Sequence, residues 1–392
     1  MLILDNVDTP EAQGAVAKLA ARIPHGHILI TSRLADWPTG FAALDLNVLD
    51  EPNSIRLLLA HTAGRRTERP DDSATAAKIA RHLDGLALAL EQAAAWVRQD
   101  RRTLAAYLAE WEKTDALVFK EYHPKGVGDY PRSLFTTYHT SATQLTDDAR
   151  TLLHILSWLA PDPIPMWAIE KIATLPDPRT HLVQLADLHL ARLTPDGENA
   201  TVHRMLQSIT QAGQTEAKPP ALVVALAWIN GQYRGNPGDV RTWPLLLPLT
   251  PHAIAAANAG ADRNIPEPSG RMLNQAALLL NARADHRGAE PLMRRALTID
   301  EASFGRDHPD VAIDLNNLAQ LLQATNRLGE AEPLMRRALE IFLKFTRDTK
   351  HQHPHLFQTI NNCAGLLMAM GDSQEVAVGK VRALVKSYGV SV

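Results

Sequence analysis

Cysteine is nearly absent: Cys363 is the single one in 392 residues. No disulfide framework can form, and a reducing cytoplasm is the expected compartment. Aromatic residues are scarce at 5%, while Ala and Leu are abundant, so the composition leans helical. Neither sign of charge dominates. The 40 basic and 43 acidic residues leave a formal net charge of −3, which gives no overall attraction to nucleic acid or anionic lipid. Long apolar runs are missing too. The longest, around Ala221–Ile229, falls far short of the roughly 20 residues of a membrane span, and no membrane association is expected. No secretory signal is expected either, because Asp5 interrupts the apolar Leu2-Ile3-Leu4 at once. What remains is ordinary globular composition, 45% hydrophobic and 21% charged, in a chain long enough for two or three domains.

Residues 1–60 alternate short apolar runs with helical segments. Met1–Leu4 and His27–Ile30 read as buried strands, Ala43–Leu46 as a third, with helices over Pro10–Arg22 and near Pro52–Leu59. Strands alternating with helices imply a parallel sheet. An all-apolar strand normally lies inside a sheet covered on both faces; without neighbours, these strands would leave a bare edge, and self-association is expected. From Asp71 to Glu112 the pattern is helical, with Gly85 as the break between Ala74–Leu83 and Leu86–Gln99. Glu121–Pro131 reads as a linker. Helices follow at Leu145–Leu159, Met166–Ala173 and His181–Leu188, then a hairpin about the turn Pro195-Asp196-Gly197. Helices followed by such a hairpin suggest a winged helix.

The strongest signal is a repeat. The nonapeptide from Ala289 to Leu297 (AEPLMRRAL) recurs unchanged from Ala331 to Leu339. Leu273-Asn274-Gln275-Ala276 matches Leu315-Asn316-Asn317-Leu318 at the same offset, and a third copy begins at Ile360-Asn361-Asn362. A period of roughly 40 residues with two helices per unit is the mark of an α-solenoid. It predicts helix pairs near 271–283/287–301, 311–325/329–345 and 355–370/373–388. Solenoids bind protein surfaces or extended peptides along a concave face. The candidate partner-binding residues are Asn316 and Asn317 on a first helix and the paired arginines Arg294, Arg295, Arg336 and Arg337 on second helices; a merely solvated helix face is the competing reading of those arginines. His351-Gln352-His353-Pro354-His355 has a metal-like density of histidine, yet His353-Pro354 occupies the place of His308-Pro309 and reads as an inter-repeat linker.

The repeats resemble the long tetratricopeptide type found in kinesin light chains and bacterial signalling ATPases. The resemblance rests on the LNNLA helix from Leu315 to Ala319, the EAEPLMRRAL helix from Glu330 to Leu339, and the Gly305–Pro309 linker. The segment Trp243–Ala259 resembles the irregular first helices that open such arrays. The first half resembles the NB-ARC module of STAND ATPases through four short motifs in order: Leu2-Ile3-Leu4-Asp5, similar to a Walker B strand; Ile28-Leu29-Ile30-Thr31-Ser32-Arg33, similar to a sensor strand; Gly85-Leu86-Ala87-Leu88-Ala89-Leu90, with Ala87 where the family has proline; and Val202-His203-Arg204-Met205. The resemblance implies ADP or ATP with Mg²⁺ as ligands of the parent family. Asp5 would hold Mg²⁺, and Arg33, Gly85 and His203 would contact nucleotide. It also implies a mainly α fold: a partial α/β P-loop NTPase remnant over 1–60, a helical subdomain over 61–122, a winged-helix-like domain over 123–215, a connector over 216–265 and tetratricopeptide repeats over 266–392.

The loop G-x-x-x-x-G-K-[ST], whose amides and lysine neutralise the β- and γ-phosphates, does not occur in the sequence. The expectation is therefore a non-enzymatic signalling or scaffold protein that binds nucleotide weakly and protein partners through its repeats. It would be truncated before the Walker B strand, with Met1 as an internal start or the product of a degenerate gene. Two readings compete with it: a fragment of a nucleotide-dependent switch whose loop lies in a longer native chain, and a winged-helix transcriptional regulator. The few basic residues of Pro161–Arg204 (Lys171, Arg179, Arg192 and Arg204) disfavour the last, since DNA-binding domains show a basic stripe.

Overall fold

A computed structural model describes residues 1–392 apart from 6, 8, 24, 33, 35, 36, 43, 45–47, 122–131, 391 and 392. It divides into two units, Met1–Leu49 and Asp50–Val392.

In the first unit two apolar runs pair as parallel strands, β1 (Leu2–Leu4) and β2 (Ile28–Ile30), with Leu2 beside Ile28 and Leu4 beside Ile30. Parallel pairing requires a crossover, which α1 (Pro10–Ala20) supplies. Thr9 caps that helix by accepting the Ala12 amide at 3.2 Å, and Pro10 occupies the first turn, where its missing N–H costs nothing. Only one face of the pair is sheltered. Ile3 and Leu29, neighbours in the register, are 56% and 54% exposed. The strand expected at Ala43–Leu46 falls on positions outside the described residues.

The second unit is helical from its start. α2 (Glu51–Thr62), α3 (Asp72–His82), α4 (Ala87–Arg98), α5 (Leu104–Glu121) and α6 (Arg132–Ala142) enclose fully buried Leu58, Ile79, Leu83 and Leu90. Gly85 adopts φ 66° between α3 and α4, a left-handed turn that favours glycine. The linker expected over Glu121–Pro131 lies almost wholly outside the described residues. Next come α7 (Asp147–Leu156), β3 (Ile164–Pro165), α8 (Met166–Ile169), α9 (Pro178–Asp187), β4 (Arg192–Leu193), β5 (Asn199–Thr201) and α10 (Arg204–Ala212). The hairpin forms as its Asp-Gly turn requires, with Gly197 at φ 73°. It gains an unforeseen third strand, in the antiparallel order β3-β5-β4. Pro161–Pro165 reads from sequence as a helix stop, but Pro165 sits on an edge strand, where its absent N–H breaks no ladder bond.

α11 (Pro220–Gln232) and α12 (Trp243–Asp262) lead into the array. The irregular helical opening over Trp243–Ala259 takes the form of one helix that runs through Pro248 and Pro251. Packing on α11 and on α13 (Pro266–Ala282) buries Leu246, Leu249, Ala253 and Ala256, and this tertiary burial outweighs the two lost backbone bonds. α13 then pairs with α14 (His286–Phe304), α15 (Pro309–Ala324) with α16 (Leu328–Thr349), and α17 (Leu356–Ala369) with α18 (Gln374–Ser387). These pairs match the expected periods. The repeated nonapeptide shows why. Ala289/Ala331, Met293/Met335 and Ala296/Ala338 are all buried at equivalent places, so the same residues make the same seam twice. The fold is thus mainly helical, a repeat array following an N-terminal region.

Candidate functional site

The positions suggested for nucleotide fall in both units of the chain. Asp5 lies at the end of β1, where its carboxylate accepts the Thr31 hydroxyl at the end of β2. Nearby, Val7 N–H donates to the Thr31 carbonyl at 2.9 Å and Ser32 Oγ to the Val7 carbonyl at 2.6 Å. These bonds tie the two strand ends together. Arg33 lies outside the described residues. Gly85 and His203 belong to the second unit, Gly85 in its left-handed turn and His203 at the start of α10. His203 Nδ1 accepts the Met205 amide at 3.2 Å as the helix cap. Burial, and then Arg204, hold its imidazole below the usual histidine range, which favours the neutral ring that such a cap needs.

The four paired arginines singled out from sequence are joined to carboxylates. Arg294 pairs with Glu290 at 2.8 Å, and Glu290 also binds Arg327 at 2.7 Å across the repeat junction. Those contacts, Arg327 first, hold the Glu290 carboxyl below its ordinary range. Arg295 reaches back to Asp262 at 2.6 Å, Arg337 to Glu301 at 2.5 Å, and Arg336 pairs with Glu332 on its own helix. Arg295 and Arg337, one period apart, therefore both clamp the preceding helical layer, an inter-repeat role that the competing sequence readings do not describe.

The asparagines behave differently. Asn317 Nδ2 donates to Asn274 Oδ1 at 3.3 Å, Asn316 Nδ2 to Asn317 Oδ1 at 3.4 Å, and Asn362 Nδ2 to Asn316 Oδ1 at 2.9 Å. A row of carboxamides thus runs across α13, α15 and α17, the first helices of successive repeats. Asn274 and Asn362 were not among the expected site residues; the shared repeat position with Asn316 and Asn317 is the signal that finds them. The row is sheltered but not sealed, with Asn316 buried and the other three half-buried. A carboxamide carries two N–H donors and a carbonyl acceptor, so single bonds along the row leave hydrogen-bonding capacity for an outside chain.

The histidine-rich linker is structural in its contacts. His353 stacks on Phe342 at 4.5 Å between ring centroids, and His308 stacks on Phe304 at 4.8 Å. Both rings also accept a backbone amide two residues on: His308 Nδ1 that of Asp310, and His353 Nδ1 that of His355. Among the described residues, no group of three His, Cys, Asp or Glu is placed to hold a metal ion, and no helix is long and apolar enough to cross a membrane. Cys363 is buried, which pushes its thiol up to about 11 and leaves it little thiolate character.

No curated protein matches the chain. Among solved structures it is similar to a Signal Transduction ATPase with Numerous Domains (STAND) protein with a tetratricopeptide repeat sensor from Pyrococcus horikoshii. The two are 14% identical with a TM-score of 0.40, and the likeness covers 99% of this chain and 66% of that one. The chain thus spans just under two thirds of that protein's length. Residues 269–344, the stretch that holds both copies of the nonapeptide, match the tetratricopeptide repeat family.

Proposed function

We propose that this chain is a cytoplasmic signalling or scaffold protein of NB-ARC and tetratricopeptide type, which holds an extended segment of a partner protein along the first helices of its repeats. The observation that carries the reading is the asparagine row. Carboxamides recognise peptide N–H and C=O groups whatever the side chains, and a row at the repeat spacing tracks an extended backbone. The N-terminal half, with its winged-helix-like module, is in this reading a region of weak nucleotide binding. The sequence holds no lysine-bearing phosphate loop, so ADP contacts from Asp5, Gly85 and His203 would be weak.

Peptides selected from a randomised array on the full chain test this. Their binding should weaken at least tenfold in an Asn317→Ala/Asn362→Ala variant and stay unchanged in Arg336→Ala. Selected peptides that bind all three chains equally would refute the row as the binding surface.

A further inference from the structure

Two acids, Asp314 buried and Asp300 half-buried, break the repeat pattern at the first junction of the array. One period after Asp300 stands Phe342, and one period before Asp314 stands Met272. Both of those equivalents are fully buried, so these are core positions at which this one junction carries carboxyls. Asp314 is 3% exposed, and its Oδ2 has no hydrogen-bond partner. The two carboxyls share a hydrogen bond, and burial, then each other's charge, raises Asp314 to about 8; burial and Asp310 raise Asp300 to about 6. Gly270 makes the room, since a Cβ there would lie 2.1 Å from Asp300 Oδ1. Burying an incompletely bonded acid pair costs free energy that Met and Phe at these positions would not.

The pair opens into a cleft of about 430 Å³. Glu267 and Asp310 also line it, giving four carboxyls against one base, Arg271. That base is engaged by other partners: Arg271 Nε donates to Asn230 Oδ1 at 2.6 Å and its Nη2 reaches the Tyr233 carbonyl at 3.4 Å. The remaining lining includes Phe304 and Ile313, which suit an aliphatic stem. Asn274, the first member of the asparagine row, lies in the same lining, so the cleft is continuous with the row.

We propose that this cleft is a receptor for one cationic side chain, lysine or arginine, of the partner whose backbone lies along the asparagine row. The four carboxyls supply the countercharge and the acceptors, and Phe304 and Ile313 cover the methylene stem. This rests on the reading of the array as a peptide-binding surface. A bound cation favours the doubly ionised pair, so binding expels the shared proton to buffer.

The test is calorimetry on the full chain near pH 7 with N-acetyl-Gly-Lys-Gly-amide, the arginine and norleucine analogues, and spermidine, in two buffers of different ionisation enthalpy. Isoleucine-methyl spectra locate the site. The lysine and arginine peptides should bind at least tenfold tighter than norleucine, release protons, and move the Ile313 methyl but not Ile341. Asp314→Asn, which keeps the shape, should weaken them about tenfold, and Asp310→Asn, at an exposed position, a few-fold. Equal binding of the norleucine peptide, or full binding by Asp314→Asn, would overturn the proposal. So would spermidine binding more than tenfold tighter than either peptide, which would assign the cleft to free polyamines. Array-selected peptides that still need Asn317 and Asn362 while these probes fail would overturn the cleft alone and leave the asparagine row standing.

Discussion

Replacing Asp314 by asparagine should change how the stability of the array depends on pH. With Asp300 raised to about 6 and Asp314 to about 8, the folded pair retains one shared proton between those values. The unfolded carboxyls, near the ordinary value of about 3.9, retain none. Unfolding stability then falls as pH rises, because the native state binds more protons than the unfolded one. Below pH ~4 both states are protonated and ionisation costs nothing. The decline begins as pH rises through the unfolded values and is complete above the folded value of Asp314. One extra proton corresponds to about 1.4 kcal/mol per pH unit. From pH 6 to 8 the upper bound is about 3 kcal/mol, and screening of half-exposed Asp300 by water brings the expectation to about 1–2 kcal/mol. The groups facing the pair are Glu267 and Arg271 on α13 and His308 and Asp310 at the start of α15. All four are common to both chains, so the difference between them isolates the pair. Urea titrations followed by circular dichroism at pH 5, 6, 7 and 8 read the effect. The wild type should lose stability over this range and Asp314→Asn should be flatter and more stable at pH 8. Parallel pH profiles would refute the shared proton.

Other substitutions act on the same network of contacts. Gly270→Ala drives a methyl into the Asp300 carboxylate and should cost about 1–3 kcal/mol in a urea melt; an unchanged midpoint would mean that the acid pair is not fixed. Glu290→Ala removes the partner of Arg294 and Arg327, and should cost about 0.5–1 kcal/mol at low salt and much less in 1 M salt. A loss independent of salt would assign Glu290 a packing role. Replacing Ile3 and Leu29 together by lysine removes the exposed apolar pair of the strand sheet and should lower the mass seen in light scattering of the full chain; an unchanged mass would place any self-association elsewhere. No ATP hydrolysis above background is expected, and ADP binding should be weak; submicromolar ADP affinity lost in Asp5→Ala or His203→Ala would contradict this.

The array was legible because its sequence repeats. Leu315, Met335 and Ala338 recur where each seam needs them, so periodicity alone gives the helix pairs. The asparagine row was half legible, because Asn316 and Asn317 stand in the repeated first helix, but only the stacking of α13 on α15 and α17 shows that they bond to Asn274 and Asn362. The acid pair escaped notice. Asp300 and Asp314 are ordinary residues in sequence, and their meaning comes from their closeness to each other and of Asp300 to Gly270, contacts set by tertiary packing. β3 was missed for a related reason, since Pro165 reads as a breaker until β5 offers it an edge. Arg295 and Arg337 show the reverse case. Their spacing suggested a basic ridge, but carboxylates one layer back, Asp262 and Glu301, decide what they do.

The most direct measurement of partner binding along the first helices is site-specific photocrosslinking in extract of the source organism. Benzoylphenylalanine is placed at Gln275 on α13 or Asn361 on α17, and at Arg336 on α16 as the control. Crosslinks to the same partner from Gln275 and Asn361, absent from Arg336 and competed by array-selected peptides, are the predicted result. Crosslinks from Arg336 alone would contradict the account, placing the binding surface on the second helices.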